Sequence, residues 1–521
     1  MRDTKGHELH IVPDPEPEIL EPPRLHMSPL GIQHIFRMTT LDRLDVLVYS
    51  ESALTRLTHQ QFADSIRFVD PDVIVLTEPQ HEHRLRQLAS KDCAIATLGG
   101  YATRGVQTHT NGSVGLVVVD DLDGLATLPP PVRDGSLTSG CERYLLSDLL
   151  SIEIDLTRLE TSLDGRESYE DALRRQTLDG SCTHLSTNAN PSYRSEWSGL
   201  LVQGVMPGAN VRQGHQQSGL AHLQLHADGV VSSRTFTPDE FGLRTLDQVG
   251  RTRAETLREA GFDSREAVAA ASLSEIQDLP GFGQSTAKTA IQSATATVEG
   301  EVRRFADDGC PRADPVFIDI ETDGLSPTMV WLIGVLDRKG SESYLSFIAR
   351  DPDTPGKAVT EFMSWLTDSV ANRPIVAYNG YGFDFPVLEE HIERHCPEYL
   401  DAWRELWLFD PYRWATDGDH AILPGRTNKL EDVAPALGWE ADETGLSGAS
   451  VARLFQRWQA NPCPETELDW ERHQRYCEDD VRSLAHVFDA LADASRIDTG
   501  GDTTEETGSS TTSTQGTLGD F

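Results

Sequence analysis

The chain has 521 residues and a formal net charge of −38, from 83 acidic against 45 basic residues, and only six of the latter are lysine. That length needs more than one hydrophobic core, so a single small fold is excluded. No apolar run approaches the ~20 residues of a membrane-spanning helix, and the polar start MRDTKGHELH lacks the apolar stretch of a secretory signal, so a soluble cytoplasmic protein is expected.

An acidic, lysine-poor composition fits a halophilic cytoplasm. The charge is spread along the chain and not gathered in one tail, so it does not exclude a nucleic-acid partner. The cysteines, Cys93, Cys141, Cys182, Cys310, Cys396, Cys463 and Cys477, are odd in number, scattered and never in a CxxC pair. This argues against a disulfide framework or zinc knuckle and for reduced thiols.

Residues 1–24 are proline-rich and acidic (PDPEPEILEPP) and read as a disordered tail. Over 25–240 an α/β domain of unknown role is expected. LDVLVYS, DVIVLTE and SVGLVVVD read as buried strands, with a helical TRLTHQQFADSIRFV between the first two. From Gly135 to Pro238 no period is clear. FADSIRFVDPDVIVLTEP resembles EFMSWLTDSVANRPIVAYNG further on, which a degenerate copy of the later domain would explain. The ordinary helix–strand unit of any α/β domain explains it more simply. The acids of this region do not fall in a DxE-plus-YxxxD pattern, so no catalysis is assigned to it.

Residues 241–299 change to short, alanine-rich helical segments. In LPGFGQSTAKTAI, Gly281 and Gly283 would relieve a tight turn, leaving the next helix's N-terminal amides free to meet a phosphate, with Lys288 nearby. LDQVGRTRAETLREAGF carries Gly250 at the equivalent turn, followed by Arg251 and Arg253. The pair resembles the tandem helix-hairpin-helix domains that bind DNA without sequence preference. From Thr245 to Thr297 there are five basic residues against seven acidic ones, so phosphate binding would rest on amides and a few placed cations. A helical spacer or protein-interaction module is the alternative. Residues 300–314 (GEVRRFADDGCPRAD) read as a polar linker.

The densest chemistry lies in 315–496. In VFIDIET, strand alternation puts Phe317, Asp319 and Glu321 on one face and Val316, Ile318 and Ile320 on the other. PIVAYN reads as a strand and NGYGFDFPVLEEHI turns into a helix, setting Asp384 at the junction. DWERHQRYCEDDVRSLAHVFDALAD has one apolar helical stripe, and Tyr476 and Asp480, four apart, share a face. Hard divalent cations such as Mg²⁺ or Mn²⁺ take oxygen ligands, and two of them need more than two carboxylates. A tyrosine hydroxyl one turn from a metal-binding aspartate is placed to orient a nucleophilic water. Asp323 and Asp479 fall out of phase and read as ordinary polar positions, and His473 as a surface helix histidine.

These three ordered motifs, DxE at Asp319 and Glu321, NxxxFD from Asn379 to Asp384, and YxxxD at Tyr476 and Asp480, resemble the DEDD exonuclease superfamily of ribonuclease H-like folds, tyrosine subtype. The segment between them resembles the YprB-type branch, in which a lysine, here Lys429, precedes a helix ending in Leu437 and Gly438. The resemblance implies a mixed five-stranded sheet flanked by helices and two-metal 3′–5′ hydrolysis at a nucleic-acid end. It assigns metal binding to Asp319, Glu321, Asp384 and Asp480, and nucleic-acid contacts to Asn379 and Lys429.

Residues 497–521 are Gly/Ser/Thr-rich and expected to be disordered. In the terminal QGTLGDF, Gln515, Leu518 and Phe521 fit a sliding-clamp-binding peptide. The expectation is thus an α/β multidomain DNA exonuclease of repair or replication. An exoribonuclease with the same site, or an inactive DNA- and clamp-binding adaptor, are the alternatives.

Overall fold

The computed structural model describes residues 43–497 apart from 78–80, 99–105, 138–141, 156–159, 179–181, 190–192, 198, 206–218, 307–308, 312–313, 341, 371–372, 443 and 465. The expected tail at 1–24, Cys141 and the terminal peptide with Gln515, Leu518 and Phe521 lie outside those residues. None of the described helices is long and apolar enough to cross a membrane. The six described cysteines are free thiols.

In the N-terminal domain, β1 (Arg43–Tyr49) is followed by α1 (His59–Val69), β2 (Val73–Leu76) and β3 (Ala94–Thr97). Thr58 caps α1 through a capping box with Gln61, which splits the expected single helix in two. A hairpin much later in the chain, β4 (Leu220–His226) and β5 (Val231–Phe236), completes an antiparallel edge, in the order β5-β4-β1-β2-β3. A second, six-stranded sheet faces it, with Val114–Val119 and Arg143–Ser147 among its inner strands. The even residues Leu44, Val46 and Val48 pack against that sheet, while Leu47 and Tyr49 pack under α1 with Phe62 and Ile66. Burial on both faces is why VLVY, residues 46–49, is an uninterrupted apolar run.

α2 (Arg251–Glu259), α3 (Arg265–Ala269), α4 (Leu273–Gln277) and α5 (Gln284–Glu299) form the helical module around Leu246, Leu257, Ile276, Phe282 and Ala290. The two hairpins are equivalent. Gly281 (φ +83°) and Gln248 (φ +65°) both adopt the left-handed conformation two residues before the glycine that starts the following helix. Gly283 and Gly250 themselves are extended or near it.

Residues 300–314 are not a free linker. Arg303–Arg304 pair antiparallel with Ala421–Ile422, the Arg304 guanidinium donates to the carbonyls of Leu491 and Ala492, and Phe305 N–H donates to His420 O. Arg304 satisfies C-terminal carbonyls of the last helix, while Arg303 donates to Gln292 and Glu299 of α5.

The C-terminal domain has a five-stranded mixed sheet. Its strands β6 (Val316–Thr322), β7 (Val330–Asp337), β8 (Ser343–Ile348), β9 (Ile375–Val376) and β10 (Leu408–Phe409) lie in the order β8-β7-β6-β9-β10. The first three are antiparallel; β9 and β10 add in parallel. On one face α6 (Lys357–Ser369) and α7 (Asp384–His395) cover Val316, Ile318 and Ile320. On the other, α8 (Leu430–Ala436), α9 (Gly448–Ala460) and α10 (Trp470–Asp493) pack, with Phe488 against Phe317 at 5.4 Å between rings.

This hairpin-first order differs from the N-terminal sheet, whose hairpin closes the domain and which faces a second sheet. The two similar segments are α1–β2 and α6–β9, a helix leading into a strand parallel to the central one. Both sheets also set an antiparallel hairpin on one side of the central strand and two parallel strands on the other, but the chain connects these strands in a different order.

Candidate active site

Asp319 and Glu321 leave β6 on the face covered by α10, as alternation requires. β9 pairs only with Val316 and Phe317, so the distal half of β6 projects beyond its parallel neighbour. Asp384 is the first residue of α7, and its charge reaches Asp319 and Glu321. The last component arrives on α10. Asp319 faces Gly334 across the β6–β7 ladder, and a Cβ on Gly334 would lie 2.5 Å from Cys477 Sγ and 3.2 Å from Val481 Cγ2. The bare glycine lets α10 sit directly on the sheet, which brings Tyr476 and Asp480 over Asp319 and Glu321.

Glu321 and Asp384 are 7% and 6% exposed. Asp319, Asp480 and Tyr476 keep some open surface but are closely walled by protein. Burial, then repulsion from Asp384, holds the Asp319 carboxyl well above the usual range, against a thiol hydrogen bond from Cys477. Glu321 is raised by burial and by Asp319, Asp480 and Asp384. Asp480 is raised by burial and by Asp319, partly offset by a hydrogen bond from Tyr476. Asp384 is pushed up to about 7 by burial and by Asp410. Among the described residues no lysine or arginine pairs with any of the four. Four converging carboxylates with no cationic partner fit divalent cations, which would neutralise them. Ligand atoms of Asp319, Glu321 and Cys477 lie within 4.8 Å of one another.

Of the five residues singled out from the motifs, the structure brings Asp319 and Glu321 within ligand-sharing distance and sets Asp384, Asp480 and Tyr476 near enough for their charges to interact with them. Asn379 is exposed at the turn before Asp384, in the left-handed conformation (φ +55°). Lys429 is exposed at the start of α8, 3.7 Å from Glu431, whose charge reaches Asp480. Arg251 is exposed and pairs with Glu255 at 3.3 Å, and Lys288 is half-buried on α5. Arg253 is engaged within the module itself. Its Nε donates to Gly281 O at 2.9 Å and its Nη1 to Gln248 O at 2.6 Å, so it staples the two hairpins at their equivalent left-handed turns.

His473 is not on the surface either: it is 2% exposed, its ring packs 5.8 Å from Trp331, and its Nδ1 lies 2.8 Å from Asp469 O. Asp323 accepts from Thr328 and Met329 N–H, closing the β6–β7 turn. Asp479 accepts from Trp439 Nε1 and Asp442 N–H.

Sequence reasoning missed Asp410 and Cys477. Asp410 accepts the N–H groups of Asn379, Tyr381 and Arg413, fixing the loop that carries Asp384. An Asp-Pro pair opening a helix after a strand was the available signal. Cys477 Sγ lies 3.7 Å from Asp319 Oδ2, and nothing in the local pattern marked it.

Residues 316–492 match the RNase H superfamily, and residues 242–295 match the SAM-like helix-hairpin-helix tandem. No curated protein matches. Among solved structures, E. coli exonuclease I in complex with a dT13 oligonucleotide is 16% identical with a TM-score of 0.19, covering 28% of this chain and 40% of that one. The ExoI/SSB-Ct complex is 15% identical over 33% of this chain and 43% of that one, with a TM-score of 0.20. A predicted phosphoesterase from Streptococcus pneumoniae is 11% identical over 38% of this chain and 91% of that one, with a TM-score of 0.20. The chain therefore spans about two fifths of the exonuclease I chains it resembles, and at these scores the likeness carries no functional weight.

Proposed function

We propose that residues 315–496 form a metal-dependent 3′–5′ exonuclease acting on DNA. The observation that carries this reading is the convergence of Asp319, Glu321, Asp384 and Asp480, from two strand positions and two helices, into one cluster without a cationic side chain. These four would hold two Mg²⁺ or Mn²⁺ ions. When bound, such ions supply Lewis-acid stabilisation of the attacking and leaving oxygens of a phosphodiester.

The protein's own part is positional. Tyr476, one turn before Asp480 on α10, would orient its hydroxyl toward that carboxylate, which leaves its oxygen lone pairs to accept from a water and aim that water's own lone pair at phosphorus. Burial and the charge of Asp480 hold the phenol well above its ordinary range, which favours its protonated form. Asp410 keeps the Asn379–Asp384 loop in place by accepting from Asn379 and Tyr381 N–H.

The helix-hairpin-helix module would supply DNA affinity through backbone amides at Gly250, Gly281 and Gly283, with Arg251 and Lys288 alongside. Digestion of end-labelled DNA and matched RNA strands by the purified protein, at high salt with and without Mn²⁺, tests the reading. Metal-dependent shortening from the 3′ end of DNA supports it; RNA as the better substrate would favour the ribonuclease alternative. Tight metal-independent binding without cleavage would favour the adaptor.

A further inference from the structure

The N-terminal domain meets the other two at one buried carboxylate. Asp64, on α1, is 6% exposed. Its oxygens take a two-pronged contact from Arg426 (Nη1 to Oδ2 2.6 Å, Nη2 to Oδ1 2.9 Å), a third from Arg265 Nη2 (2.7 Å) and a fourth from Gly242 N–H (2.9 Å). Arg265 opens α3 of the helical module, and Arg426 belongs to the loop leading into α8 of the C-terminal domain. The Arg426 guanidinium also lies 4.2 Å from the centre of the Phe68 ring. Burial alone would raise the Asp64 carboxyl; the two arginines bring it below its ordinary value.

The helix that this loop leads into, α8, is gripped as well. Arg234 of β5 donates to Asp432 at 2.6 Å and lies 3.4 Å from Glu431, the residue whose charge reaches Asp480. Tyr378 Oη donates to Asn428 O at 2.7 Å. The helical module is fixed to the same place from behind: at Gly300, just after α5, an added Cβ would lie 2.7 Å from Ala436 O.

A carboxylate holding two guanidiniums across three domains is costly to desolvate, and a hydrophobic contact would stabilise as well. What it supplies in exchange is geometry, since a planar fork fixes both distance and angle.

We propose that Asp64 is a positioning residue that locks the Arg426–Asp432 rim of the carboxylate cluster and the helix-hairpin-helix module at one fixed spacing, so that efficient cleavage requires a single DNA strand long enough to span both. This rests on the exonuclease reading for its substrate, but not for the lock itself.

The test uses the full chain with Asp64→Asn, Arg426→Lys and Arg265→Gln. Amide hydrogen exchange over 426–432 is read alongside hydrolysis of a nitrophenyl ester of thymidine 5′-phosphate and of a DNA strand of roughly 30 nucleotides. Asp64→Asn is expected to speed exchange over 426–432 by at least about tenfold and raise KM for the long strand about tenfold, leaving ester hydrolysis within about twofold. Arg426→Lys, which keeps the charge but loses the fork, gives an intermediate effect. Arg265→Gln is expected to cost long-strand KM without loosening 426–432. If Asp64→Asn does not fold, the two arginine variants decide the matter by the same readouts. Unchanged exchange in 426–432, or equal losses on ester and strand, overturns the proposal. If the wild type cleaves neither substrate, the exonuclease reading fails while the exchange data still decide the lock.

Discussion

Gly334 and Cys477 touch where the last helix crosses the sheet: an added Cβ on the glycine would stand 2.5 Å from the thiol sulfur. That contact sets how closely α10 approaches β6, and so how closely Asp480 approaches Asp319. Gly334→Val should destabilise the domain by about 1–3 kcal/mol and weaken metal binding more than any surface change on α10. Thermal unfolding and Mn²⁺ titration of the same variant check both parts.

The metal-free carboxylates repel one another, so neutralising one should stabilise the empty site while disabling it. Asp384→Asn is expected to raise metal-free stability by roughly 0.5–2 kcal/mol and to abolish metal-stimulated stabilisation. Denaturant unfolding with chelator, then with excess Mn²⁺, separates the two effects.

Burial of Asp384, with the charge of Asp410 near it, fixes a pH dependence. Asp384 titrates near 7 in the folded chain against the ordinary 3.8, so between those values the native state binds more protons than the unfolded one. Stability of the metal-free protein therefore falls as pH rises through that window, and binding of a divalent cation at neutral pH releases protons. Calorimetric titration of Mn²⁺ in two buffers of different ionisation enthalpy measures the release; none would contradict the assignment.

How much of this was legible beforehand differs by domain. The placement of Asp319, Glu321 and Asp480 was legible because a strand alternation or an i, i+4 pair fixes their direction, and that of Asp384 because a strand run ends and a helix begins beside it. Asp410, Asp64 and Arg426 were not legible, because their roles depend on partners distant in the chain. The N-terminal sheet was read only in part. Its first strands are continuous apolar runs, but the closing hairpin, LAHLQLH and VSSRTF, mixes polar residues into a half-covered edge and gives no clear period. His473 was misjudged because its helix is covered on two sides, by Trp331 as well as by the expected stripe.

Arg253 separates stapling from phosphate binding in the helical module. Arg253→Gln should lower the module's stability yet leave the salt dependence of DNA binding unchanged, whereas Lys288→Ala should reduce the slope of log K against log salt by roughly 0.7–0.9. Binding isotherms at several salt concentrations discriminate the two.

Tyr476→Phe removes the hydroxyl without disturbing the four acids. It should lower kcat by about 10²-fold or more, with KM and Mn²⁺ affinity nearly unchanged.

The central claim is tested most directly by incubating 5′-labelled single-stranded DNA with wild-type and Asp319→Ala protein at high salt across a Mn²⁺ titration. The account predicts a ladder shortening from the 3′ end that appears only with metal and only in the wild type, both proteins remaining folded. Cleavage that survives chelation or the Asp319→Ala change, or no cleavage by the wild type at any metal concentration, would contradict it.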